Sequence, residues 1–423
     1  MTVGLELATV AAFVILIAAA IAVVVVARRV GVPDTVGLVL LGLAASVLLP
    51  RLGLEVTPEL VLLVLLPGII FDGGYRTHVE DLRQSLGAIL VLAVPGVIIV
   101  AAFTGLVLDL TTELTFGQAF LVGAIVSATD PAAVIATFRR LRTPRLLGTV
   151  VETESLVNDG TGVVLFTVAL AVLTGGAPET SGVVTFLAAV VVSPLLGIAA
   201  GYIAARLIGM TTDHLLEVSI TIVLAYGVYA GAEAVHLSGI LATVTAAVTL
   251  GIFGRGSAMS ARARDAIDAF WEVVAFVLTV IVFLLVGVVI ELEALARAAG
   301  PIVIGILAIT VGRAIVVYGL IGVGARALRG PRGMPKMPLP WLHVLFWSGL
   351  RGAVAVALVL SIPRGLDGRD LVADVAFGII LFTLLAQGST IGIVIDRTIG
   401  PARRGGPSAG TDEAGPGARP AKL

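Results

Sequence analysis

Two acidic motifs interrupt apolar stretches of this sequence, and their side chains are the best placed to do chemistry. Residues 152–162 read Glu-Thr-Glu-Ser-Leu-Val-Asn-Asp-Gly-Thr-Gly, and residues 127–134 read Ser-Ala-Thr-Asp-Pro-Ala-Ala-Val. An ionised carboxylate at the centre of a bilayer costs about 2.5–3.5 kcal/mol or more, so each one needs a function or a partner. Asp130 and Asp159, on two different helices, therefore predict an ion site.

The composition is that of a polytopic membrane protein. Of the 423 residues, 58% are hydrophobic and 13% are charged, with a mean hydropathy of +1.11. Globular proteins carry about 25% charged residues. Because the chain has no cysteine, thiol catalysis and thiolate metal sites are excluded. The formal charge of -1 gives no reason to expect nucleic acid as a partner.

Apolar runs bounded by proline, glycine and charged residues predict an all-α protein with about thirteen membrane helices. Each predicted span is about 20 residues long, which is the length needed to cross a bilayer. The predicted spans are approximately 5–27, 34–50, 58–75, 86–108, 116–137, 148–174, 183–206, 214–234, 238–253, 267–290, 300–325, 340–361 and 371–396.

The distribution of basic residues predicts the orientation. With the N-terminus outside, the inside loops hold sixteen Lys and Arg residues and the outside loops hold four, as the positive-inside rule requires. The C-terminus is then cytoplasmic. No positively charged segment precedes the first apolar run, so we expect a retained first helix, not a secretory signal. Residues 398–423 are rich in Gly, Pro, Ala and Arg and predict a disordered cytoplasmic tail.

The odd number of spans suggests two inverted six-helix repeats with one linker helix. The fifth span, which contains Asp130-Pro131, then corresponds to the twelfth, which contains Arg351-Gly352. Residues that weaken a helix interrupt both spans. This pattern is typical of discontinuous helices that form a site at the middle of the membrane in secondary transporters.

The first motif predicts a helix break. Pro131 has no amide hydrogen and disfavours helical geometry at Asp130, so backbone groups are freed there. The Thr129 oxygens beside the Asp130 carboxylate form a hard-oxygen set that suits a small alkali cation. In the alternative interpretation, Asp130 caps the second half of a kinked helix. Capping a helix and shaping an ion site are compatible roles.

The second motif places three polar side chains on one helical face. Ser155, Asn158 and Asp159 are spaced i, i+3 and i+4, and we expect them to face the fifth helix. Gly160 and Gly162 allow neighbouring helices to approach closely. The alternative is a polar stripe that serves only helix association, but that role does not require a charge.

Arg313 and Arg351 are the basic residues that fall within predicted spans. A buried arginine must be paired. Glu154 is the partner expected for Arg313 as a structural ion pair, which leaves Asp159 free to exchange ligands. The swapped pairing of Glu154 with Arg351 remains open. At the break of the twelfth helix, the charge of Arg351 is expected to compensate the free carbonyl groups at half-helix C-termini. The charge of Asp130 is expected to compensate the free amides at half-helix N-termini.

Residues 71–75, Phe-Asp-Gly-Gly-Tyr, close the third predicted span. Asp72 is positioned either to line an entrance funnel or to belong to a turn at the membrane interface. In the second interpretation, Tyr75 is an aromatic anchor.

These motifs resemble the monovalent cation:proton antiporter-1 family, the NhaP-like sodium/proton antiporters related to the eukaryotic exchangers. The resemblance rests on Thr129-Asp130-Pro131, residues 154–160, Gly312-Arg313 and residues 349–354, and it extends over about residues 5–396.

The resemblance implies a thirteen-helix homodimer in a prokaryotic cell membrane, active in pH homeostasis. Residues 1–397 would form the transmembrane antiporter domain, which works by elevator-type alternating access. Dimerisation helices are expected at about 5–75 and 183–290, and core transport helices at about 86–174 and 300–396. The implied partners are the transported Na⁺ and H⁺ and the lipid bilayer, with no other cofactor.

The resemblance also assigns roles to individual residues. Asp159 is implied to bind the proton and the cation, with Thr129 and Ser155 as further Na⁺ ligands. Asp130 and Asn158 are implied to shape the site. Asparagine before Asp159, in place of a second aspartate, resembles the electroneutral branch, which exchanges one proton per sodium ion.

The predicted function is therefore secondary active transport, not an enzyme reaction: Na⁺ or Li⁺ is exchanged for H⁺, and both compete for Asp159. K⁺ as the preferred cation stays open. A hypothesis from a different class is an intramembrane aspartyl protease that uses Asp130 and Asp159. Against it, the flanking glycine motif of such proteases is absent, and Pro131 and Asn158 have no place in that chemistry.

Overall fold

The computed structural model describes residues 2–48, 57–176, 179–255, 259–323 and 337–400, and these residues contain helices but no strand. This confirms the predicted all-α class. Within the described part, eight helices are long and apolar enough to cross a membrane, and two shorter apolar helices accompany them. The count of about thirteen spans stays a prediction. Residues 401–423 of the predicted tail lie outside the described residues.

The elements before residue 174 contain both acidic motifs. A π-helical turn (Leu60–Leu65) leads into the helix Leu66–Arg76. Another (Leu92–Gly96) joins the helices Val79–Val91 and Val97–Thr111. Pro95 lies inside the second turn and has no amide hydrogen, which explains the interrupted hydrogen-bond ladder there. The helices are α1 (Thr2–Val30), α2 (Asp34–Leu48), α3 (Leu66–Arg76), α4 (Val79–Val91), α5 (Val97–Thr111), α6 (Phe116–Ser127), α7 (Ala132–Leu141) and α8 (Arg145–Leu173).

The elements after residue 178 contain both intramembrane arginines. A π-helical segment (Ile315–Val323) continues the helix Ala299–Ala314. A π-helical turn (Thr383–Gln387) joins the helices Arg369–Phe382 and Gly388–Thr398. The helices are α9 (Glu179–Ile208), α10 (His214–Ala234), α11 (Gly239–Phe253), α12 (Ala261–Val289), α13 (Leu292–Arg297), α14 (Ala299–Ala314), α15 (Leu339–Trp347), α16 (Ala353–Leu360), α17 (Arg369–Phe382) and α18 (Gly388–Thr398).

Side-chain caps fix where several membrane helices begin. Thr115 and Gln118 form a capping box at the start of α6. Asp213 accepts a hydrogen bond from the Leu215 amide at the start of α10, with a distance of 2.9 Å. Ser238 caps α11 and Ser260 caps α12 in the same way.

Small residues let the helices pack backbone to backbone. A Cβ atom built on Gly42 of α2 would lie 2.1 Å from the carbonyl oxygen of Leu284 on α12, so only glycine fits there. Such close contacts supply the packing energy that holds helices together in a bilayer, where lipid removes the hydrophobic driving force.

The predicted discontinuity of the fifth and twelfth spans is confirmed. The helix is interrupted between α6 and α7 at residues 128–131, and between α15 and α16 at residues 348–352. The two breaks meet, because the Asp130 amide donates to the carbonyl oxygen of Leu350 at 2.8 Å. Irregular backbone at membrane depth is tolerated where it is buried in protein, as it is here. The inverted-repeat relationship stays a prediction.

The interfacial turn proposed for residues 71–75 is wrong. These residues lie inside α3, which continues to Arg76, and Tyr75 is only 1% exposed. The Tyr75 ring stacks on Phe71, and its hydroxyl contacts the sulfur of Met259 at 3.5 Å. Tyr75 is thus a core residue, because packing against neighbouring helices buries a ring that the sequence pattern placed at the membrane interface.

Candidate functional site

The Asp130 carboxylate serves two half-helix N-termini at the crossing of the broken helices. Its Oδ1 accepts a hydrogen bond from the Ala132 amide at 2.8 Å, at the start of α7. The same carboxylate lies against Gly352, directly before the first residue of α16. Negative charge is stabilised at helix N-termini by the free amides and the helix dipole. Asp130 is therefore held by both broken helices at once.

The side chain of Arg351 has the complementary position. Its Nε donates to the carbonyl oxygen of Val126 in the last turn of α6, at 2.6 Å, and its guanidinium also donates to the Gly349 carbonyl. The Arg351 amide donates to the Thr383 hydroxyl at 3.2 Å. The buried guanidinium of Arg351 thus lies at the negative, C-terminal ends of the broken helices.

Asn158 joins α8 to the break before α7. Its Oδ1 accepts from the Thr129 amide at 3.0 Å, and its Nδ2 donates to Thr129 Oγ1 at 2.6 Å and to Glu154 Oε1 at 3.0 Å. The hydroxyls of Thr129 and Ser155 lie 3.1 Å apart. These four side chains are at most 1% exposed. They form a buried polar layer, which we name the Asn158 layer.

The buried arginine Arg313 pairs with Glu154. Its Nη1 lies 2.7 Å from Oε1 and its Nη2 lies 3.2 Å from Oε2, which is a bidentate arrangement. Its Nη2 also lies 3.3 Å from the carbonyl oxygen of Leu345. Of the two pairings that the sequence left open, the structure therefore contains Glu154 with Arg313. Arg351 is bonded to backbone carbonyls instead.

Asp159 differs from the carboxylates around it. Its side chain is 8% exposed, and it makes no hydrogen bond or ion pair with any residue that the structure describes. Together with Asp130 it lines a cavity of about 580 Å³. Asp159 is consequently a buried carboxylate whose oxygen atoms are open to a small ligand.

The cavity runs from Asp159 to one end of the helix bundle. Its walls come from α1, α2, α3, α7, α8, α12 and α16. At its exposed end lie Arg28 and Asp34, which form an ion pair at 2.8 Å, and the exposed side chains of Arg139 and Glu272. Thr129, Ser155 and Asn158 do not line this cavity and lie in the Asn158 layer.

Asp72 also lines the cavity, from α3. Its Oδ1 lies 2.6 Å from Nε of Arg76, one helical turn along. The Arg76 guanidinium donates further to the carbonyl oxygen of Asp268 on α12 at 2.9 Å. Of the two positions considered from the sequence, the structure shows Asp72 in the cavity wall.

Sequence reasoning gave no role to Glu152, which the structure places in the same cavity wall. Residues 152 and 159 are spaced i, i+7 and therefore lie on one face of α8, two turns apart. This spacing was the signal in the sequence that would have found Glu152.

A family of known proteins shares the motifs of this chain. Residues 14–397 match the family model described as "Sodium/hydrogen exchanger, transmembrane". The chain belongs to the sodium/hydrogen exchanger family. The family predicted from the motifs is thereby confirmed.

Relatives in this family come from several microbes. The chain is 37% identical over 372 residues to the Na(+)/H(+) antiporter ApNhaP of Aphanothece halophytica, covering 86% of this chain and 70% of that protein. It is 33% identical over 391 residues to the Na(+)/H(+) antiporter NhaH of Halobacillus dabanensis, covering 89% and 94%. The structure of the sodium proton antiporter MjNhaP1 from Methanocaldococcus jannaschii at pH 8 shares the fold, with a TM-score of 0.76 at 19% identity, covering 94% and 100%.

Proposed function

We propose that this exchanger-family chain is a sodium/proton antiporter in which Na⁺ and H⁺ compete for the carboxylate of Asp159. The antiporter names of its relatives support the class of transport. One observation carries the assignment of the site: Asp159 lies in the wall of a deep cavity without a partner among the described residues. Its neighbours Asp130 and Glu154 are engaged by the protein itself.

The charges around the site support exchange of one monovalent ion for another. Asp130, Glu154 and Asp159 supply three carboxylates, of which Asp130 is half-buried and the other two are buried. Arg313 and Arg351 supply two buried guanidiniums. One negative charge is therefore left over, which either a single Na⁺ or a single H⁺ neutralises. A net charge is costly to move through a medium of low dielectric constant, so only the loaded site crosses.

Asn158 supports the electroneutral stoichiometry of one proton per sodium ion. A neutral amide occupies the position before Asp159, and its donors and acceptor are satisfied by Thr129 and Glu154. It therefore adds no second exchangeable proton. The hydroxyls of Thr129 and Ser155 are proposed as further Na⁺ ligands. Ser155 precedes Asp159 by one helical turn, and loading would turn the paired hydroxyl oxygens towards the ion.

The position of the cavity supports elevator-type alternating access. Its walls come from α3 and α12, which fall within the predicted dimerisation helices, and from α7, α8 and α16, which fall within the predicted core. Sliding of the core against the dimerisation helices would carry Asp159 from one membrane face to the other. The positive-inside pattern supports a cavity that is open to the cytoplasmic side of the cell membrane. The proposed assembly is a homodimer.

Dye dequenching in everted vesicles tests the proposal. Na⁺, Li⁺, K⁺ or Ca²⁺ is added after an acid-inside pH gradient has formed. Prompt dequenching by Na⁺ or Li⁺ is expected, without a current on a supported membrane. A response to K⁺ alone would show that the transported cation is potassium and not sodium. No response to any monovalent cation would overturn the antiporter assignment.

A further inference from the structure

Glu152 is a carboxylate of the cavity that the mechanism above does not use. It is half-buried and lines the cavity from α8, and it makes no hydrogen bond or ion pair with a described residue. Two nearby carboxylates are paired, Glu154 with Arg313 and Asp72 with Arg76. Glu152 thus resembles Asp159 in being a cavity carboxylate with open oxygen atoms.

Glu152 and Asp159 lie in series along the cavity. Seven residues separate them on one face of α8, which corresponds to about 10 Å along the helix. Leu156 lies between them on the same face, is 5% exposed and packs against α3 at Gly73. An ion that enters from the exposed end of the cavity would therefore meet Glu152, pass Leu156 and then reach Asp159.

The charged side chains of neighbouring helices make the negative charge of Glu152 important for binding a cation in the cavity. Arg139 of α7 and the pair of Asp72 and Arg76 of α3 line the same cavity. Asp72 and Arg76 compensate each other in an ion pair of 2.6 Å. Without Glu152, the cavity wall would lose a negative charge that offsets Arg139, and a cation would be held less well there.

From this geometry we propose that Glu152 is an outer cation station, which binds a monovalent alkali cation and passes it to Asp159. The inference rests on the proposed sodium/proton exchange and adds a second ion-binding carboxylate to it. Because Glu152 lies on one side of Asp159 along the cavity, it serves the ion only when the site opens towards that side.

The sidedness of the apparent KM for Na⁺ tests the station. Glu152→Gln is assayed in everted and in right-side-out vesicles at alkaline pH, where protons compete least. A unit charge about 10 Å from Asp159 predicts a rise in KM of about two- to tenfold in one vesicle orientation, with the maximal rate kept. In the other orientation the KM stays at the wild-type value. Glu152→Asp is expected to restore part of the affinity.

Glu272→Gln is the matched control, because it removes the same charge from an exposed position at the cavity rim and is expected to leave the KM within about twofold. An unchanged KM for Glu152→Gln in both orientations would overturn the station, and so would an equal rise in both. An equal effect of Glu272→Gln would overturn it as well. If the wild-type protein exchanges no Na⁺, the proposed function fails instead.

Binding measured without turnover gives a second test. In an Asp159→Asn background, NaCl is expected to retain a weak thermal stabilisation of the purified protein relative to choline chloride. The added substitution Glu152→Gln is expected to abolish it. Equal stabilisation of the single and the double variant would contradict the proposal, whatever the transport activity of either.

Discussion

Replacement of Arg313 by methionine is expected to destabilise the protein by about 3–5 kcal/mol, the cost of removing one partner of a buried ion pair. The two contacts to Glu154, at 2.7 and 3.2 Å, would be lost. Glu154 is 1% exposed, so its charge would stay buried and uncompensated. Methionine retains most of the aliphatic stem, so the loss reports the charge more than the packing.

The double variant Arg313→Met/Glu154→Gln removes both charges and should recover much of the loss. A glutamine oxygen can still accept from Asn158 Nδ2, which lies 3.0 Å from the present carboxylate oxygen. We therefore expect the double variant to be destabilised by less than either single variant, with a coupling free energy of about 2–4 kcal/mol.

Denaturant unfolding of the purified variants in mixed micelles measures the three free energies of unfolding. The pair of Arg28 and Asp34 is the control, because the Arg28 side chain is 62% exposed and such pairs contribute about 0–1 kcal/mol. The losses in free energy of unfolding of the two single variants are compared, as a sum, with that of the double variant. Agreement to within about 0.5 kcal/mol would refute the view that Arg313 and Glu154 form a buried structural unit.

Two further predictions concern the crossing of the broken helices. Gly352→Ala would place a Cβ atom 2.1 Å from Oδ2 of Asp130, so Na⁺/H⁺ exchange should fall at least tenfold. Gly365→Ala, which meets nothing within 4 Å, should leave the exchange rate unchanged. Asn158→Asp would set a second carboxylate against Glu154, whose Oε1 lies 3.0 Å from the present amide nitrogen, and should lower exchange at least tenfold. Dye dequenching gives the rates, and exchange at the wild-type rate by the Gly352→Ala or the Asn158→Asp variant would contradict the prediction for that variant.

The breaks and the buried charges were predictable from the sequence because their causes are local. Pro131 has no amide hydrogen, and Gly349 and Gly352 weaken a helix wherever they lie. A carboxylate or a guanidinium in an apolar run must find a partner in any fold. The i, i+3 spacing of Ser155 and Asn158 on α8 likewise puts both side chains on one face, in the Asn158 layer. Asp159, which the sequence placed on the same face, lines the cavity instead.

Contacts between distant segments were not predictable in the same way. The choice between Arg313 and Arg351 as the partner of Glu154 depends on how α14 and α16 pack against α8, which no local pattern encodes. Tyr75 had the composition of an interfacial anchor, yet helix packing buries it. The cavity is likewise a gap between helices, so Glu152 gained a role only when its neighbours α3 and α7 were in place.

The exchange of Na⁺ for H⁺ by an Asp159→Asn variant tests the central claim most directly. The purified variant is reconstituted in proteoliposomes beside the wild-type protein and Asp370→Asn, whose native side chain is 93% exposed. The account predicts that sodium-driven proton movement is lost in Asp159→Asn and retained in the control, with both variants folded. If the Asp159→Asn variant moved protons in response to sodium at the wild-type rate, the two ions would not compete for this carboxylate.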